Sequence, residues 1–116
     1  MFLWQEYLVL AKELSRMGSE AASRSAISRA YYCAFHVANR HRGARKAIAT
    51  REGSHASVWW ALIDSGNPQW RQAGQQGKKL LGYRRQADYD DAFADLTATM
   101  RRAIGLADEI LLLLGE

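Results

Sequence analysis

The stretch from Ser23 to His41, SRSAISRAYYCAFHVANRH, limits what this chain can fold into more than any other. At about 100° per residue, Ala26, Ile27, Ala30, Ala34, Val37 and Ala38 share one side of a helix, and Ser25, Arg29, Tyr32, Cys33, His36 and Arg40 share the other. A face built on alanine lets a neighbouring backbone come close, so this helix belongs in the middle of a bundle. The opposite stripe of Arg, Tyr, Cys and His suits a groove, or else hydrogen-bonded residues that serve the structure.

The flanking sequence supplies partners for such a helix. Between Phe2 and Met17, Leu3, Tyr7, Leu10, Leu14 and Met17 repeat at spacings of three and four, which predicts an amphipathic helix of about four turns. Gly18 ends it and Ser19 can cap the next helix, so the two are joined by a short turn as an antiparallel pair. Ser54 can cap a short helix carrying Val58, Trp59, Leu62 and Ile63, which stops at the Ser65-Gly66-Asn67-Pro68 turn. From Gln69 to Lys79 the sequence is polar, and Gly74 and Gly77 each cost about 1 kcal/mol against alanine, so a helix there has little local support. The last helix is predicted to start at a cap on Asp90 or Asp91 and to run to the end. Phe93, Leu96, Met100, Ala103, Ala107, Ile110 and Leu114 alternate by three and four along it. Leu111, Leu112, Leu113 and Leu114 cover every side of that helix, more than a small monomer is expected to bury, which points to a homodimer.

With 116 residues, 48% of them apolar, the chain fits a single domain, 1–116, that needs neither disulfide nor structural metal. Cys33 is the only cysteine, which excludes an internal disulfide and a Cys-rich zinc site and fits a reducing compartment. Gln5 and Glu6 interrupt the first apolar residues, and no run approaches the roughly 20 apolar residues that cross a bilayer; a cytoplasmic protein with no membrane partner is expected. Charge is segregated. Residues 1–87 hold 14 Lys and Arg against 5 acids, whereas residues 88–116 hold 2 against 7. Arg40, Arg42, Arg45, Lys46 and Arg51 precede the next acid, Glu52, and with Arg85 form the candidate set for holding phosphates of a nucleic acid or nucleotide, or else an acidic partner protein. No aromatic residue interleaves that segment to stack a base, so a merely solvated loop is the plainer alternative. Walker, GxGxxG, HExxH and Ser-His-Asp patterns are missing from the sequence, and no cofactor or metal is implied.

Three segments stand out together: Ser28-Arg29-Ala30-Tyr31-Tyr32-Cys33-Ala34-Phe35-His36, Gly53-Ser54-His55 and Arg84-Arg85-Gln86-Ala87-Asp88-Tyr89-Asp90. They resemble the HEPN superfamily of small prokaryotic helical domains, the first its S/N-RAYYAAFH signature and the third its R-x-x-A-D-Y signature, which opens the final long helix. The resemblance spans most of the chain from residue 23 onward. It implies an all-α, antiparallel up-and-down bundle of four to five helices, often dimeric, in a toxin-antitoxin or defence protein that acts on or binds RNA. Nuclease members of that family are metal-independent and use an Arg-x4 to x6-His motif, in which Arg holds the scissile phosphate and His moves a proton. Carried over residue by residue, Arg84 takes the arginine place and Tyr89 the histidine place, with Asp88 able to orient the guanidinium.

A tyrosine with pKa near 10 is ionised in about one molecule in a thousand at pH 7, so Tyr89 is a poor base where a histidine near 6.5 is a good one. Weak or absent cleavage with retained RNA binding is therefore expected. Arg29 with His36 is a weaker alternative pair, since seven helical positions put about 10 Å of rise between them. His55, just past Ser54, is a further possible proton carrier near a helix N-terminus. The other open reading is a non-catalytic dimeric module that partners a nucleotidyltransferase or an antitoxin.

Overall fold

In the computed structural model, which describes residues 1–41 and 55–116, the alanine row of the Ser23–His41 stretch becomes the buried spine of a bundle. Among the described residues there are five helices and no strand: α1 (Gln5–Leu14), α2 (Glu20–Arg40), α3 (His55–Ile63), α4 (Pro68–Tyr89) and α5 (Leu96–Leu114). The fold is an all-α bundle. Helix α2 packs against α1, α4 and α5, and α3 lies chiefly on α4. Ser19 caps α2 by accepting a hydrogen bond from the Ala22 N–H at 3.1 Å. Ala26, Ala30, Ala34 and Ala38 have no exposed surface, so their small side chains set how closely the other helices approach. Cys33, placed by its angle on the polar stripe, is also fully buried, and burial pushes its thiol up to about 11. Among the described residues no helix is long and apolar enough to cross a membrane.

Helix α1 packs by a different face from the one its spacing suggested. Leu3, Leu10 and Met17 are exposed, whereas Leu8 and Ala11 are buried and Trp4, Tyr7 and Leu14 pack against the core. Two apolar stripes compete on this short helix. The inner one wins because Ala11 permits close contact and the Trp4 indole stacks on His36, ring centres 3.6 Å apart.

The largest difference from expectation is α4. It is one continuous helix of 22 residues, opened by Asn67, whose side-chain oxygen accepts from the Gln69 and Trp70 N–H groups, with Pro68 in the first turn. Gly74 and Gly77 are a seat for α3. A Cβ on Gly77 would run into the Trp59 ring, and one on Gly74 would lie 2.6 Å from the Trp59 carbonyl oxygen. The cost of two glycines is offset by burial of the largest fully buried side chain, Trp59.

Because α4 continues to Tyr89, the Arg84–Asp88–Tyr89 segment closes the penultimate helix and does not open the last one. Two acids, Asp90 and Asp91, follow its C-terminus, where the helix dipole favours a cation. Arg24 of α2 supplies one, donating to the carbonyls of Ala87 and Asp91 at 3.2 and 3.1 Å and to that of Asp90, while its Nε pairs with Glu20. Helix α5 starts only at Leu96, after Asp95 in the left-handed region at φ 56°, and is 19 residues long, shorter than the roughly 24 that 3.6-residue periodicity allowed. Phe93 lies outside it, half-buried. Within the single chain Leu111 and Leu114 are buried and Leu113 is partly so; only Leu112 of that run stays out, 79% exposed. The four-leucine run thus finds more cover in one chain than its even distribution around the helix suggested.

Candidate functional site

Where α2, α3 and α4 meet, polar and charged side chains gather around two tyrosines. Arg84 on α4 is 8% exposed, the most buried position among the arginines of the described residues. Its Nη1 is 3.5 Å from Asp88 Oδ2, the limit of hydrogen bonding, and its Nε is buried with no hydrogen-bond partner. Instead of carboxylates it has aromatic faces: Cζ lies 5.5 Å from the Tyr31 ring centre, 5.6 Å from Tyr32 and 5.9 Å from Tyr89. Asp88 also receives a long hydrogen bond, 3.4 Å, from Ser28 Oγ. Tyr89 itself is 74% exposed.

The first residue of α3, His55, reaches the same two rings. Its Nδ1 is 2.7 Å from Tyr31 Oη, and its ring stacks on Phe35 with centres 4.1 Å apart. Trp59, one turn on, donates its Nε1–H to the same Tyr31 oxygen at 3.1 Å. Burial raises the Tyr31 pKa far above the ordinary phenol value, although the Trp59 hydrogen bond and Arg84 oppose the shift. His55 is held below its ordinary pKa by burial first, then by Arg84, Arg85 and His36.

Arg29 and His36 join the cluster from the other side of Tyr32. The Arg29 guanidinium sits 4.6 Å over Tyr7 and 5.3 Å from Tyr32, and the His36 ring is 6.1 Å from Tyr32. His36 too has a lowered pKa, from burial and then Arg29. Among the described residues neither Arg29 nor Arg85 forms an ion pair. What the sequence offered as three alternatives, Arg84 with Asp88 and Tyr89, Arg29 with His36, and His55, therefore borders one aromatic pair. Arg84 has one carboxylate beside it, Asp88, and the same cluster holds Arg29, the charge of exposed Arg85 at its edge, and two histidines whose surroundings disfavour protonation. Such a site is short of negative charge and suits an anion.

Not every candidate belongs to it. Arg40 is exposed at the far end of α2, on the rim of a groove of about 500 Å³ lined also by Trp4, Val37 and His41; Trp4, stacked on His36, is what the groove and the cluster share. Arg85 is exposed on α4, and Arg42, Arg45, Lys46 and Arg51 lie outside the described residues. No group of three or more His, Cys, Asp or Glu side chains that could hold a metal occurs among the described residues. Tyr31, Trp59, Ser28 and Phe35 appear in the sequence motifs and predicted helices but were not among the site residues the sequence offered. Tyr31 was within reach of it, because it stands four residues after Ile27 on the buried side of α2. No family model matches the chain, and no curated protein or solved structure matches it either.

Proposed function

We propose that this chain is a HEPN-like, RNA-binding helical module of the toxin-antitoxin or defence kind, which holds a phosphodiester at Arg84 and cleaves it slowly or not at all. The observation that carries the reading is the Arg84 guanidinium, nine-tenths buried, with an unpartnered Nε and one carboxylate at 3.5 Å. A buried cation costs several kcal/mol unless it is paired, and a phosphate would supply the missing charge as a bidentate partner. Arg29 and Arg85 add charge beside it, and the sequence carries further basic residues, Arg40, Arg42, Arg45, Lys46 and Arg51, so affinity falls steeply with salt as counterions are released. At the proton-transfer position stands Tyr89, an exposed phenol in place of an imidazole, and such transfer is worth about two to four powers of ten in rate.

The test is RNA binding and cleavage in EDTA by the wild type, Arg84→Ala, Tyr89→Phe and Tyr89→His. Binding is expected to weaken at least tenfold in Arg84→Ala and to stay within about twofold in Tyr89→Phe, with cleavage raised in Tyr89→His. Robust wild-type cleavage that survives Arg84→Ala sinks the site.

A second reading, a dimeric non-catalytic module for a nucleotidyltransferase or antitoxin, draws on a different observation: Leu3, Val9, Leu10 and Met17 on and beside α1 are exposed, as is Leu112. A homodimer is compatible with both readings. Light scattering at micromolar concentration tests it, and a monomer there counts against it.

A further inference from the structure

The hydrogen bonds around Tyr31 have one arrangement in which every buried donor is used. Trp59 is wholly buried, its Nε1–H can only donate, and its partner is Tyr31 Oη. Tyr31, also without exposed surface, has one proton of its own, and His55 Nδ1 lies 2.7 Å away to accept it. Were Nδ1 protonated instead, the buried phenol proton would lose that acceptor, the costly state for a polar group out of water. A neutral imidazole that accepts at Nδ1 carries its proton on Nε2, and Nε2 has no protein partner among the described residues.

The surroundings keep the ring neutral. From α2 it meets Tyr31, Tyr32, Phe35 and His36; from α4 the charges of Arg84 and Arg85 oppose its protonation, and Asp88 is the carboxylate of the cluster. Arg84 and His55 approach the same two rings at nearly equal distances, 5.5 and 5.5 Å for Tyr31 and 5.6 and 5.7 Å for Tyr32.

We propose that Tyr31 and Trp59 fix His55 as its Nε2–H tautomer, making it a neutral hydrogen-bond donor to a phosphate group held by Arg84 and withholding it from the role of base. The inference rests on Arg84 as the phosphate site. It deepens that reading, because His55 then has no free lone pair on either nitrogen: one is engaged by Tyr31 and the other nitrogen is protonated. Of the two histidines of the cluster, His55 thus binds without serving as a base. The phosphate can come from the backbone of an RNA or from the end of a nucleotide, and the same donor set serves both.

The experiment is nitrogen–proton correlation of the imidazole groups in the full chain at neutral pH. It is followed by titration with an oligoribonucleotide lacking terminal phosphates and, separately, with a 5′-nucleoside monophosphate. His55 is expected to show the Nε2–H pattern before ligand is added and to shift with whichever ligand binds, which identifies the source of the phosphate. Affinity for that ligand should fall about tenfold or more in His55→Phe and be largely kept in His55→Gln, whose amide can still donate. A wild-type spectrum with the proton on Nδ1, or an even mixture of tautomers, overturns the proposal without need of any variant. Arg84→Ala losing affinity while His55→Phe keeps it overturns this inference and leaves the Arg84 site standing; full affinity in Arg84→Ala overturns both.

Discussion

Two segments of α4, about two turns apart, use the same helix in opposite ways. Around Gly74 and Gly77 the helix gives up side chains so that Trp59 of α3 can lie against its backbone. Around Arg84 and Asp88 it pushes a charged side chain into the contact with α2 and leaves that charge short of partners. One indole serves both regions, its ring on the glycines and its N–H on Tyr31. The first region is held by fit, which cannot be altered without loss of stability. The second holds a buried charge that Asp88 meets only at 3.5 Å, so on the proposed reading changes there are read mainly in affinity for an anion.

The sharpest break in that comparison is Gly77→Ala. Helix propensity alone says that alanine stabilises by about 1 kcal/mol, but the new methyl meets the Trp59 ring, and overpacking of this kind costs about 1–3 kcal/mol or more. A net loss of about 2 kcal/mol is expected in urea unfolding. Gly82, on the same helix with nothing within 4 Å of where a Cβ would sit, is the control: Gly82→Ala should gain up to about 1 kcal/mol. Stabilisation by both substitutions would show that Trp59 is not seated on the glycines.

Smaller effects are expected at the charged end. Asp88→Asn removes the carboxylate that shares Arg84 and Ser28, so anion affinity should rise a few-fold while folding stability drops by about 1 kcal/mol. Opposite signs in the two measurements are the signature of a charge kept for a ligand. A fall in both would make Asp88 a structural partner only. Equilibrium titration with RNA beside urea unfolding of the same sample reads both.

These regions also differ in how legible they were. The alanine row of α2 and the apolar alternation of α5 predicted buried helices because their periodicity is long and each residue's size argues the same way. Gly74 and Gly77 misled because propensity weighs a glycine against solvent, and the partner that makes it favourable, Trp59, comes from another helix. The C-terminus of α4 was misplaced for a related reason: Arg24, 63 residues away from Ala87, caps it. Two apolar stripes on α1 left its inner face undecided until Trp4 found His36. The site residues themselves were visible as separate motifs. Their convergence was not, since helical rise separates Arg29 from His36, and it takes the Tyr32 ring, lying between α2 and α4, to bring both near Arg84.

The smallest expected effect is on pH, and it too separates the two regions. His36 and His55 both have pKa values below the ordinary 6.5, from burial and then from Arg29 in one case and Arg84, Arg85 and His36 in the other. Below about pH 6.5 the unfolded chain therefore takes up protons that the folded chain resists. Their contribution is complete above that pH and is lost as pH falls toward the folded values, with a slope of at most about two protons. Urea midpoints at several pH values between about 8 and 5 should thus decline on acidification, and His36→Gln and His55→Gln should each remove part of the slope. Gly77→Ala should lower the whole curve and change its slope less than the histidine variants do, because the contact it disturbs reaches His55 only through Trp59 and Tyr31. A slope unchanged in the double histidine variant would assign the acid sensitivity elsewhere and leave the arginine-rich end of α4 without the electrostatic character that distinguishes it from the glycine seat.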